Sequence, residues 1–168
     1  MRNILNFKGL PMFLLIGVAL IVVVIDRITK LWVMHTMHLG QSIVLIHNIF
    51  YLTYIQNPGA AFGILDRDNP HILNPFFYVI TVLATLFIFV IQRFIPYDQK
   101  LPRISLGMIW GGALGNFMDR FLYGKVVDFI DIGYKIYRWP VFNIADSCIS
   151  VGLVIFIFSY MFFKKDVD

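Results

Sequence analysis

Four apolar stretches, each close to the length of a helix that crosses a bilayer, divide this chain at residues 10–34, 72–91, 104–122 and 141–163. A helix needs about 20 such residues to cover roughly 30 Å of hydrocarbon. Of the 168 residues, 59% are hydrophobic and only 14% charged, whereas a soluble domain carries about a quarter charged residues. A core of this size cannot hide the excess, so lipid must cover it. The sequence therefore predicts an all-α membrane protein of four transmembrane helices, forming one integral membrane domain over residues 1–168.

Between the first two spans, residues 31–65 contain no Asp, Glu, Lys or Arg. The apolar part of this segment is too short to cross as a helix, and it is rich in Ile, Val, Tyr, Phe and Thr, the residues of strands. It reads as a small β-structured element over about 40–63, resting on the membrane interface. A fifth crossing is the minority alternative. Four crossings place both termini on one side, with Arg2, Lys8, Arg93, Lys100, Arg103, Lys164 and Lys165 facing the cytoplasm, as the positive-inside rule asks. The bias is modest, because Lys125, Lys135 and Arg138 fall on the other side. No small-x-small cleavage site follows the first apolar stretch, so it is expected to stay as a retained span.

Composition also excludes function classes. The net charge of +4 is dispersed, with no basic stripe interleaved with aromatics, so no nucleic-acid partner is expected. The single cysteine, Cys148, leaves no internal disulfide and no CxxC motif. His35, His38, His47 and His71 lack the spacing of a zinc site, and no GxSxG elbow is present. No metal and no cofactor are expected.

Charged groups inside a membrane cost at least about 2.5 kcal/mol each near the centre and so mark function. Asp26, Lys30, Asp119, Arg120, Asp128 and Asp146 all gather at the non-cytoplasmic ends of their spans. Asp26 and Lys30 are spaced i, i+4 and can pair; an ion pair anchoring the helix end is favoured over direct chemistry. Asn57-Pro58-Gly59-Ala60-Ala61-Phe62-Gly63 is a turn-rich loop, in which the Asn57 amide can both donate to and accept from a peptide. Gly107, Gly111 and Gly115 form a double GxxxG, best read as a helix-packing seam.

Gly112, Asn116, Asp119 and Arg120 recur at i, i+4, i+7 and i+8 on one helical face. There the three polar side chains either satisfy one another or, through the Arg120 fork, meet a substrate carbonyl or carboxylate. Asp119 is more readily structural than catalytic. Asp128 lies in an extended, apolar stretch, where desolvation raises a carboxyl pKa. Asn143 and Asp146 share a face at the start of the fourth span. Two aspartates brought together in such a medium cannot both ionise readily, so one keeps a proton while its anionic partner activates water. Spacing does not choose between Asp119 and Asp128 for that pair.

Taken together, Asp26 with Lys30, the loop 57–63, Gly111 to Arg120, Val126-Val127-Asp128-Phe129 and Phe142-Asn143-Ile144-Ala145-Asp146-Ser147 resemble the lipoprotein signal peptidases, the type II signal peptidases of bacteria. The blocks occur in that family's order and span the chain from first helix to last. The resemblance implies four helices with a small extracytoplasmic β cradle, in the bacterial cytoplasmic membrane, with both termini cytoplasmic and the site toward the outer face. It implies cleavage of diacylglyceryl-modified prolipoproteins before the lipidated cysteine, Asp128 and Asp146 forming the catalytic dyad. Asn57, Gly59, Asn116, Arg120 and Asn143 would bind substrate, or an inhibitor such as globomycin, or order the site, and Asp26, Lys30, Asp119 and Gly112 would support it. Partners would be prolipoproteins and membrane lipids, the protein acting as a monomer.

Two other classes stand against this reading. A small transporter would need polar groups spread through the membrane depth, yet here they gather at one side. A structural assembly factor would tolerate conservative changes of the aspartates.

Overall fold

The computed structural model describes residues 10–59 and 70–163. Its elements, in chain order, are α1 (Leu10–Thr36), β1 (Ser42–Ile46), β2 (Phe50–Asn57), α2 (Pro70–Ile91), α3 (Leu101–Tyr123), β3 (Val126–Tyr134), β4 (Tyr137–Arg138) and α4 (Ile144–Phe163). A single 3₁₀ turn, Gln92–Phe94, closes α2. The first helix runs unbroken through Asp26, Arg27 and Lys30, whose side chains find partners there: Asp26 with Lys30, and both Arg27 and Lys30 with Asp119. The helices follow the expected apolar stretches with one informative difference. The fourth helix starts at Ile144 rather than 141, because Phe142 exchanges backbone hydrogen bonds with Ile130 (3.0 Å and 2.7 Å) and keeps the preceding chain extended.

Three segments, Met12–Thr36, Asn74–Phe94 and Ile144–Met161, are long and apolar enough to cross a membrane. The remaining helix, α3, is 23 residues long, about 35 Å at 1.5 Å per residue. Its sequence is less apolar because it is the central helix: it packs against α1, α2 and α4 and turns polar or side-chain-free positions inward. A Cβ added at Gly107 would lie 2.7 Å from the Leu15 carbonyl oxygen, and one at Gly111 would lie 2.7 Å from that of Ala19. Gly112 presses the Ala145 carbonyl in the same way, and Gly152 answers from α4 against Ser105. The GxxxG glycines thus bring α1 to backbone contact with α3, and Gly112 with Gly152 does the same for α4. Arg103 is 3% exposed and donates to the carbonyls of Ile95, Pro96 and Gln99 (2.7, 2.8 and 2.5 Å), tying the α2–α3 link.

The β element is larger than the expected 40–63. β1 and β2 form its first hairpin, while Ala60–Gly63 lie outside the described residues. β3 and β4, from beyond the third helix, complete an antiparallel sheet in the order β1-β2-β3-β4. Val33 of α1 and Met37, just beyond its end, pack with Tyr54, Val127 and Phe129 beneath that sheet, fixing it to the bundle. At the opposite end Leu15, Ile88 and Leu106 close the helix core.

Candidate active site

α3 ends on Gly124, whose left-handed backbone (φ 75) lets its N–H cap the Arg120 carbonyl at 3.0 Å. The chain therefore turns directly into β3, and the Val127 N–H meets Asp119 Oδ2 at 3.0 Å. β3 pairs with β2 so that Ile55 opposes Asp128 and Asn57 opposes Val126. Asn57 and Asp128 are then diagonal neighbours on one face of the sheet, and Asn57 Nδ2 donates to Asp128 Oδ2 at 3.0 Å.

The start of α4 supplies the second carboxylate. Asn143 precedes the helix and accepts from the Asp146 N–H at 3.0 Å, while the Asn143 N–H donates to Asp146 Oδ2 at 3.2 Å. This is a reciprocal capping box built from Asn and Asp. The other side of the Asn143 amide, Nδ2, lies 2.7 Å from Asp128 Oδ1, 3.1 Å from Asn116 Oδ1 and 3.2 Å from the Val127 carbonyl. One asparagine, itself fully buried, therefore touches both aspartates. Asn116 Nδ2 adds a 2.7 Å hydrogen bond to Asp146 Oδ1. Burial first, and the Asp146 charge second, push the Asp128 carboxyl from its ordinary value up to about 7; the amides of Asn57 and Asn143 pull the other way.

Beneath this pair lies a second polar layer. Lys30 is fully buried, and its three N–H donors meet Asp26 Oδ2 (2.8 Å), Asp119 Oδ2 (2.9 Å) and Asn116 Oδ1 (3.0 Å). Asp26 Oδ1 accepts from the Ala145 N–H at 2.9 Å. The pair expected to anchor a helix end at the interface is thus an interior brace joining α1, α3 and α4. Lys30 orients Asn116, which in turn holds Asp146.

The expected single face of Gly112, Asn116, Asp119 and Arg120 divides among three neighbours. Gly112 and Asn116 face α4, Asp119 faces α1 and β3, and Arg120 faces α2. Nor do the polar three satisfy one another as expected. Asp119 pairs with Lys30 and with Arg27 (3.1 Å), and among the described residues the Arg120 guanidinium donates to the Asn116 backbone carbonyl, from Nη1 at 3.3 Å. The Arg120 guanidinium instead lies 3.8 Å from the centre of the Phe77 ring, and its buried Nε has no hydrogen-bond partner among the described residues. Gly59 meets the site from the loop after β2, its N–H donating to Asn57 Oδ1 at 2.8 Å.

Arg27, which also hydrogen-bonds Tyr123, was not among the residues singled out from sequence. Its signal was legible, since any charge within a span marks an interior contact. Asp131 was also unexpected; it joins Arg138 (2.7 Å) and Thr53 (2.9 Å), stapling the sheet away from the site. Phe77 and Tyr78 of α2 carry no charge and gave no signal.

The family model for signal peptidase (SPase) II matches residues 18–162. A lipoprotein signal peptidase of Desulforapulum autotrophicum is 39% identical over 147 residues, covering 88% of this chain and 91% of that protein. Two solved structures, each described as a bacterial membrane enzyme determined by the in meso method, superpose closely. The first, at 2.3 Å, has a TM-score of 0.74 and 32% identity, covering 96% of this chain and 93% of the other. The second, at 1.9 Å, has a TM-score of 0.73 and 34% identity, covering 96% of each.

Proposed function

The chain belongs to the signal peptidase II family, a lipoprotein signal peptidase, and from that premise we propose that Asp128 and Asp146 are its catalytic dyad, sharing one proton. The observation that carries this is Asn143, whose side-chain Nδ2 donates to the Asp128 carboxyl at 2.7 Å and whose backbone N–H donates to the Asp146 carboxyl at 3.2 Å. A charge count supports it. Arg27, Lys30 and Arg120 set three cations against the four carboxyls of Asp26, Asp119, Asp128 and Asp146. One retained proton makes the buried cluster neutral, which a medium of low dielectric favours. Asp128, titrating near 7, is the group that holds it.

In this reading anionic Asp146 takes a proton from water as the oxygen attacks the scissile carbonyl. Protonated Asp128 donates to the oxyanion as it develops. Collapse of the tetrahedral intermediate returns that proton to Asp128, and Asp146 passes its own to the leaving amine. Arg120 and the amides of Asn57, Asn116 and Asn143 orient the peptide. Asp119 stays outside the chemistry, since both its oxygens are engaged in the α1–α3–β3 joint. Gly112 acts only in the α3–α4 seam.

We place α3 across the membrane with the other three helices, all of residues 1–168 forming one integral domain. Its two termini would be cytoplasmic and the sheet at the outer face of a bacterial inner membrane. A lipid-anchored substrate would then meet the dyad at the helix-end plane, its acyl chains in contact with lipid, one enzyme molecule acting alone. Purified protein incubated with a diacylglyceryl prolipopeptide should release one signal fragment, with mass spectrometry locating the cut immediately before the modified cysteine. A cut elsewhere, or none, refutes the assignment.

Two outcomes follow from the same geometry. The rate requires protonated Asp128, so it falls as pH rises through about 7. The Asn57 hydrogen bond lowers that pKa, so Asn57→Ala should move the alkaline limb of the pH–rate profile upward; an unmoved limb contradicts the proton assignment. Arg120→Lys keeps the charge but loses the planar fork, and kcat/KM should fall by about ten-fold. Full activity in that variant would mean that a point charge suffices.

A further inference from the structure

Phe77 belongs to α2, which contributes none of the candidate catalytic or binding residues, yet its ring lies between two parts of the site. On one side the Arg120 guanidinium is 3.8 Å from the ring centre. On the other is Gly59, where an added Cβ would fall 2.6 Å from Phe77 Cε2 and 3.0 Å from Cζ. The ring occupies the space a side chain at 59 would need, and the backbone there is left-handed (φ +99), so glycine is required on both counts. The next residue of α2, Tyr78, donates its hydroxyl to the Arg120 carbonyl at 3.1 Å and stacks edge-on with Phe117. α2 therefore holds Arg120 at its backbone and at its guanidinium.

We propose that Phe77 is a positioning residue for peptide binding: its ring face fixes the Arg120 fork while its edge fixes the Asn57–Gly59 turn, so both substrate-facing arms keep one spacing. The physical case rests on what else holds Arg120. Its only described hydrogen bond from the guanidinium is the 3.3 Å contact to the Asn116 carbonyl, and Nε has none. A long side chain so lightly tied loses several rotamers on binding substrate. A ring face within 6 Å attracts the cation without using its N–H donors. Apart from the Nη1 contact to Asn116, the donors are thus left for a peptide carbonyl while the plane of the fork is already set. This inference rests on the reading of Arg120 and Asn57 as substrate-contacting groups.

The test is a double-mutant cycle on the full-length purified enzyme, using a diacylglyceryl prolipopeptide. Phe77→Leu removes the ring, and pentafluorophenylalanine at 77 keeps its shape while reversing its quadrupole. Both should raise KM by about ten-fold, the size of a desolvated cation–π contact, with kcat little changed. The fluorinated protein should keep the parent thermal midpoint. In an Arg120→Lys background each change should add about two-fold or less. Parent-like KM in the fluorinated protein, or an undiminished effect in the Arg120→Lys background, overturns the proposal and leaves Phe77 as packing alone. Asp128→Asn assayed alongside separates the two readings. If it still cleaves, the dyad falls whatever Phe77 does; if it is inactive and the cycle is additive, only the Phe77 role falls.

Discussion

Asp128→Asn and Asp146→Asn each reduce prolipoprotein cleavage by roughly a thousand-fold or more, as loss of a positioned proton donor or base does, while the protein remains inserted and folded. Asparagine matches the shape of aspartate but neither ionises nor carries the shared proton. The Asp128 variant has a second signature. The folded pKa of Asp128, about 7, lies above its ordinary value of 3.8. The native protein binds that proton more tightly than the unfolded chain does. Its stabilising effect is complete below the unfolded value and is lost as pH rises through the folded one. Between pH 4 and pH 8 the parent should therefore lose stability relative to Asp128→Asn, by up to about 4 kcal/mol. Cleavage by mass spectrometry and thermal midpoints across that range check both effects. Near-parent cleavage by either purified variant ends the dyad mechanism, and a pH-independent stability difference removes the proton from Asp128.

Lys30→Met has the largest expected effect on stability. The side chain is inaccessible to solvent, and its three donors are all used by Asp26, Asp119 and Asn116. Methionine replaces its length but leaves two buried carboxylates facing each other across the helix seam. Removing one partner from a buried ionic group costs about 3–5 kcal/mol, which lowers the melting midpoint by roughly 10 °C in a chain of this size. Asp119 keeps Arg27 as a partner, whereas among the described residues Asp26 retains only the Ala145 N–H. Adding Asp26→Asn to Lys30→Met should therefore restore much of the lost midpoint. Cleavage should remain low in the double variant, because Asn116 has lost one of the two donors, Lys30 and Asn143, that orient it toward Asp146. A Lys30→Met protein as stable as the parent would show that the brace is not what holds α1, α3 and α4 together.

Much of this was legible because bilayer crossing leaves a strong composition signal. The helices appear where apolar stretches predict them, and the glycine seam is visible as glycine at every fourth residue, 107, 111 and 115. Asp26 and Lys30 are neighbours by helical periodicity alone, so their pairing is readable, although whether it lies at an interface or in the interior is not. The two halves of the sheet, 42–57 and 126–138, each carry strand composition, but composition does not say that they pair. Their pairing is non-local and depends on the α3 cap turning the chain at Gly124.

Sequence by itself determined the membrane character, the helical stretches, the β-forming segments and the small set of charged residues from which any site must be drawn, since solvation and backbone propensity act locally. Tertiary structure decided which carboxyl shares Asn143 with Asp146. Asp119 and Asp128 are nine positions apart, and spacing alone does not choose between them. A left-handed turn and the strand register send Asp119 inward to Lys30 and Asp128 across to Asn57 and Asn143. Side-chain direction after a turn is a property of the assembled backbone, and so is the electrostatic coupling that falls off with distance through it.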